Sequence, residues 1–252
     1  MEAKVTIGIP GRWQSWPDLM QEVAEKSDGY VLAGHTLYDT KRELGFGLDV
    51  YEHDPHLMEA FTYASRTTLP QGLLEELRQH ACTVYVTAEV GSFEGLQRLV
   101  EAGAALLRAG GMAVLVETAA LAHTKDAWEE LLQEDELLPF YAAFVALSGD
   151  EDGYSSCGMK AFGLPDARVP ATLAPEEAVV VLNGFNMYRI ADQPIIEDGQ
   201  TVSFDDDSSY STHWTEDDRY ETDHAFYNPF GMLWVEPVQH GIWGRMKGML
   251  KN

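Results

Sequence analysis

The sequence predicts a mixed α+β protein made of two ferredoxin-like (βαββαβ) units, each a mostly antiparallel sheet with helices on one face. Two observations carry this expectation. Short β-branched or alternating runs recur between segments with helical apolar spacing, and the order strand–helix–strand–strand–helix–strand occurs once in each half of the chain. The expected divisions are residues 1–92 for the first unit, 93–238 for the second with an acidic loop near 197–223, and 239–252 for a basic tail. A single α/β domain of continuous topology is the alternative, and no residue-level repeat decides between them.

In the first half, residues 5–9 read as a strand closed by Pro10-Gly11, and Ser15 caps a helix running to Lys26 with Leu19, Met20 and Val23 on one face. Ser27-Asp28-Gly29 stops it, and residues 30–33 form a short buried strand followed by a polar link over 35–42. Residues 44–51 alternate, with Leu44, Phe46, Leu48 and Val50 facing inward. Asp54-Pro55 opens a helical stretch with Leu57, Met58 and Phe61, continued after Pro70 by Leu73, Leu74 and Leu77. A β-branched strand over 82–90 ends the unit.

The second half opens with Ser92 capping a helix over 93–109, whose broad apolar band ends at Gly110-Gly111. A strand at 112–116 and a helix from Thr124 follow. Residues 140–147 and 154–162 read as strands around a turn at 149–153, Pro175 starts a helix to about Arg189, and residues 202–204 and 231–235 read as closing strands.

The motif Gly158-Met-Lys-Ala-Phe-Gly-Leu-Pro165, preceded by Tyr154-Ser-Ser and followed by a helix and an Asp198-Gly-Gln-Thr201 turn, resembles the carboxy-terminal part of an uncharacterised bacterial family known only as a domain of unknown function. In that family a Gly-Met-x-x-Phe-Gly-x-Pro strand and turn are usually followed by Glu, where this chain has Asp166. The similarity spans roughly residues 140–236. It implies a bacterial origin and a shared fold, and it brings no catalytic residue with it.

Charge sets the functional expectation. Seventeen Lys and Arg face 41 Asp and Glu in 252 residues, a formal charge of -24, which repels nucleic acid phosphates and anionic lipid and favours cationic partners. Solubility or an acidic proteome accounts for the same charge more plainly. Cys82 and Cys157 lie in apolar runs with no paired spacing, the first residues do not read as a signal peptide, and no apolar run is long enough to span a membrane. A cytoplasmic protein is expected.

The densest acidic stretch, 197–223, supplies the expected partner-binding residues: Asp205, Asp206, Asp207, Tyr210, Trp214, Glu216, Asp217, Asp218, Tyr220, Glu221 and Asp223, with Arg219 the single arginine among them. Clustered carboxylates interleaved with aromatic rings suit an interface with a basic protein, most concretely a bacterial toxin neutralised by an immunity protein. The same stretch also reads as a solvated loop. A metal-dependent hydrolase using its carboxylates with His213 or His224 is the rival class.

No catalytic residue, metal ligand or cofactor is assigned. Asp205-Asp-Asp207 lacks the spacing of a calcium loop, His53-x-x-His56 is interrupted by Pro55, Ser155-Ser-Cys157 lacks a nucleophile elbow, and the glycine pairs form no phosphate cradle. The tail at 239–252 reverses the charge, with Arg245, Lys247 and Lys251, no acid, and apolar Ile242, Met246, Met249 and Leu250. Docking on the protein itself or on a second subunit is its preferred reading, with a partner or a membrane surface as alternatives.

Overall fold

The computed structural model describes residues 3–204 and 208–238. Asp205, Asp206, Asp207 and the basic tail at 239–252 lie outside the described residues. The first half begins β1 (Ala3–Gly11), α1 (Trp16–Lys26), β2 (Tyr30–Leu32), β3 (Thr36–Asp39) and β4 (Leu44–Glu52). It continues through α2 (Leu57–Ala64), α3 (Gln71–Arg78), β5 (Cys82–Val90), α4 (Phe93–Arg108), β6 (Ala113–Val116), β7 (Leu121–Thr124) and α5 (Lys125–Leu131). The second half holds α6 (Leu137–Phe144), β8 (Ala146–Gly149), β9 (Gly153–Cys157), a 3-10 turn (Met159–Phe162), β10 (Asp166–Pro170), α7 (Pro175–Asp192), β11 (Thr201–Val202), β12 (Tyr210–Thr215) and β13 (Met232–Pro237).

The chain is α+β, as expected, but its strand order is not that of the split βαβ unit. Seven strands form one sheet in the order β2-β3-β4-β5-β1-β6-β7, antiparallel throughout, with β1 between β5 and β6. A split unit would set its first strand parallel to a neighbour. Here β4 and β5 are antiparallel and β5 covers β1 along its whole length, Ala3 opposite Val90 to Gly11 opposite Cys82. The chain passes residue 93 without leaving this layer, since α4 packs on the sheet and β6 joins it. The second sheet has six strands in the order β11-β12-β13-β10-β9-β8, and β10 runs parallel to β13.

Helices cover both faces of the first sheet rather than one, and β6 shows why. Val114 and Val116 enter the core with α4, while Ala113 and Leu115 enter a second cluster with Leu57 and Phe61 of α2 and Leu77 of α3. Successive side chains of a strand point to opposite faces, so a run apolar at every position is buried on both.

Three of the expected caps are in place, whereas the Asp54 carboxylate accepts from His56 N and α2 starts at Leu57 with no side-chain cap. Ser15 Oγ accepts from Asp18 N, Ser92 Oγ from Gly95 N and Thr124 Oγ1 from Ala127 N. Helix α4 is central because Gly103 lets its neighbours close in: a β-carbon there would stand 2.9 Å from both Ile7 Cδ1 and Trp128 Nε1. Trp128, fully buried, donates its indole N–H to Val100 O at 3.0 Å.

Several sequence expectations change. The polar link expected over 35–42 contains β3, which pairs with both β2 and β4. Residues 140–147 do not form one strand, because Leu137–Phe144 is a helix that buries Phe140, Tyr141, Ala143 and Phe144 and carries Pro139 in its first turn, where proline is tolerated. A short run apolar on every side has no period to separate helix from strand. The strand expected over 154–162 ends at Cys157, where Gly158 takes φ +116 and a 3-10 turn begins. β10, central in the second sheet, goes unread in the sequence because Asp166 and Arg168 make it look polar; both are buried and paired. Val50, expected inward, is 38% exposed at the end of its strand.

Met159, Ala161 and Phe162 of the 3-10 turn are buried in the core of the first sheet, not the second, together with Ile190 of α7. The second core is separate, built from Ala167, Val169, Leu182, Phe185, Leu233 and Val235 among others. The Gly158–Pro165 motif is thus a plug from one layer into the other. At its tip Gly163 has φ +74, and a β-carbon there would sit 2.8 Å from the Gly91 carbonyl oxygen. Gly163→Ala is expected to lower stability by about 1–3 kcal/mol, through left-handed backbone strain and the lost approach to Gly91, measured by urea unfolding.

Glu117, following β6, lies against Gly8 and Tyr85: a β-carbon on Gly8 would be 3.1 Å from Glu117 Oε1 and 3.0 Å from Tyr85 Cε1. Burial pushes its carboxyl from 4.5 up to about 7. The folded state therefore holds this proton to higher pH than the unfolded chain does. Its contribution is complete below about pH 4.5 and is lost as the pH rises through 7. Glu117→Gln is expected to flatten that decline and to unfold at higher urea than the parent at pH 8, by about 1–3 kcal/mol, with little difference at pH 4.

Candidate functional site

The site grows from the loop between β12 and β13, residues 216–231. This loop has little regular structure, so its order comes from what holds it down. Arg219 is the main fastener. Its Nε and Nη2 take both oxygens of Asp217, at 2.8 and 3.0 Å, and Nη2 also reaches Asp166 Oδ2 at 3.0 Å. Its Nη1 donates to Ser155 Oγ and Ser156 O, both at 3.0 Å. Such a two-pronged pairing fixes orientation as well as charge.

Asp166 is wholly buried, and its other oxygen accepts from Met159 N at 3.1 Å, inside the motif. Burial pushes its carboxyl up and Arg219 opposes that push. Burial alone would lower the Arg219 pKa, but the hydrogen bonds it donates to Asp217 and the charges of Asp166 and Asp217 raise it, so the guanidinium stays charged.

Two more fasteners come from the motif. Lys160, buried, donates its ammonium to Tyr227 O at 2.9 Å and to Ala225 O. Asn228 donates its side-chain amide to Leu164 O at 3.0 Å, and its backbone N–H goes to Asp217 Oδ2. The first strand of this region, the motif and the loop therefore form one polar joint.

The joint sorts the expected partner-binding residues into two groups. Glu216, Asp218, Glu221 and Asp223 are exposed, and Trp214 is 47% exposed with its indole donating to Phe230 O at 2.9 Å. Tyr220 is half-buried, stacked on His224 at 4.8 Å and edge-on to Phe226 at 5.5 Å. These make an acidic, aromatic platform. Asp217 and Tyr210, by contrast, are buried: Asp217 is consumed by Arg219, and Tyr210 lies in the second core beside Phe204. Sequence reasoning missed Arg219, Lys160 and Asp166 as the anchors. The one available signal was a lone arginine inside ten acids, which had to answer a buried charge.

A cavity of about 870 Å³ opens beside the platform, walled by Phe93, Leu137, Phe162, Leu164, Ile196 and Trp214. It forms where the Gly91 turn meets the motif and the end of α7. Asp198 lies at its wall and accepts from Trp214 N at 2.8 Å.

The other sequence candidates stay apart. Ser155 and Ser156 are hydrogen-bonded in the core, and burial pushes the Cys157 thiol up to about 12, so none is an activated nucleophile. His53 packs on His80 at 4.4 Å, and Asp54 N donates to His80 Nε2, a local turn clasp. Asp39 is buried against Arg42, while His35 and His56 are exposed. Among the described residues no group of three or more His, Cys, Asp or Glu side chains is placed to hold a metal ion, and no helix is long and apolar enough to cross a membrane.

Residues 155–234, from within β9 into β13, match the family described as a domain of unknown function, DUF4261. No curated protein and no solved structure matches the chain. The matched stretch contains the whole joint, from Ser155 to Asn228, but not the first-sheet core into which its motif plugs.

Arg219→Met is expected to cost about 3–5 kcal/mol in urea unfolding, because Asp166 and Asp217 are left buried without their cation. In the Asp166→Asn, Arg219→Met double variant the loss is expected to be smaller than the sum of the two single losses, which a double-mutant cycle measures.

Proposed function

We propose that this chain is a non-enzymatic binding protein that masks a basic site on a protein partner with the platform around Glu216, Asp218, Tyr220, Glu221 and Asp223. One observation carries the reading: the loop bearing these groups is fastened from beneath by Arg219, Lys160 and Asn228. Ordering a loop on binding costs affinity, and a platform held in place beforehand avoids that cost. The chain's charge of -24 adds long-range attraction for a cationic surface. The exposed Trp214 and the Tyr220 ring supply the aromatic anchors that interfaces favour.

The concrete form is a cytoplasmic bacterial immunity protein that neutralises a basic toxin. The hydrolase reading draws on the same loop, and there the buried carboxylate Asp217 is already saturated by Arg219 and Asn228 N. That leaves exposed carboxylates without a desolvated acid or base among them, which favours binding over chemistry.

Neutralising the platform as Glu216→Gln, Asp218→Asn, Glu221→Gln and Asp223→Asn is expected to leave thermal unfolding nearly unchanged, since all four are exposed. It is expected to abolish salt-sensitive capture of a basic protein from bacterial lysate, read by mass spectrometry. Capture that survives all four changes, or that ignores salt, contradicts the reading.

A further inference from the structure

On the far side of α7, a second groove of about 580 Å³ is walled by Leu173, Val180 and Val181 on one side and Tyr210, Pro237 and Val238 on the other. It shares no residue with the platform. Val180 is 71% exposed on it and the adjacent Val179 is 45% exposed, on a helix that buries Ala178, Leu182 and Phe185. Glu176 and Glu177, in the first turn of the helix, put negative charge along the same wall.

We propose that this groove seats the chain's own basic segment, residues 239–252. Three observations point to that occupant. The chain leaves the second sheet at the groove: Val238 donates its N–H to Ser209 O at 2.8 Å, and Pro237 and Val238, the last described residues, themselves form the wall. The segment's chemistry also complements the groove. Arg245, Lys247 and Lys251 with no acid face a wall carrying Glu176 and Glu177, and Ile242, Trp243, Met246, Met249 and Leu250 match its apolar floor. Reach is ample, because fourteen residues span up to about 46 Å when extended. Covering Val180 removes apolar surface from water, and tethering makes the encounter intramolecular, so modest contacts suffice.

The test uses the full chain and its Val180→Lys variant, which swaps an exposed apolar contact for a charge that repels the segment without touching the core. Backbone heteronuclear NOE values of the amides at 242–250 and the rate of trypsin cleavage after Arg245 and Lys247 are measured at two protein concentrations. The expected result is ordered amides and slow cleavage in the parent at both concentrations, with cleavage about tenfold faster and flexible-chain NOE values in the variant. Fast cleavage and flexible amides in the parent overturn the proposal. So does protection that is unchanged in Val180→Lys, or protection that appears only at the higher concentration, which assigns the groove to a second copy of the chain.

Discussion

The structure depends on a charge that would be ruinous alone. Asp166 sits with no exposure at the start of a central strand, and an uncompensated carboxylate there would cost several kcal/mol. Arg219 compensates it from a loop more than fifty residues later and takes Asp217 in the same grip. Once the arginine is fixed, the loop between β12 and β13 must pass over β9 and β10, and its exposed carboxylates are set in place. A geometry that looks peripheral is thus dictated from the core.

The Gly158–Pro165 motif works from the same point in two directions. Toward the second sheet, its Met159 N–H and Lys160 ammonium complete the joint that holds the loop. Toward the first sheet, Met159, Ala161 and Phe162 fill a core built by β1, β5 and α4. Small residues permit this, since Gly163 approaches the Gly91 turn within a distance that a side chain would block. The resulting dependence is mutual. The stretch matching the domain of unknown function supplies its neighbour's core with Met159, Ala161, Phe162 and Ile190, and its own joint rests on the turn that carries the first three.

The two surfaces left over are chemically different, and the difference follows from packing. The platform side is acid over a rigid polar base, with aromatic rings stacked on each other. The α7 side is an apolar helix face next to the point where β13 ends. A binding function fits the first, and self-docking of a basic segment fits the second. Neither surface borrows a side chain from the other.

Read alone, the sequence determined what is local. Caps at Ser15, Ser92 and Thr124 marked helix starts because a hydroxyl before an apolar-periodic run has one productive use. Pro175 with Glu176 and Glu177 marked α7, and the alternation after Leu44 marked β4. The mixed class was legible for the same reason, while the Gly158–Pro165 motif stood out only through its family resemblance. What only the tertiary structure decided is non-local. Which strand pairs with β1, which core receives Met159 and Phe162, and whether a carboxylate faces water or an arginine all depend on residues far apart in the chain. Asp217 and Asp218 are neighbours of one residue type, yet one is buried and paired while the other is exposed. Composition weighs them equally; Arg219, fixed by a strand fifty residues away, does not.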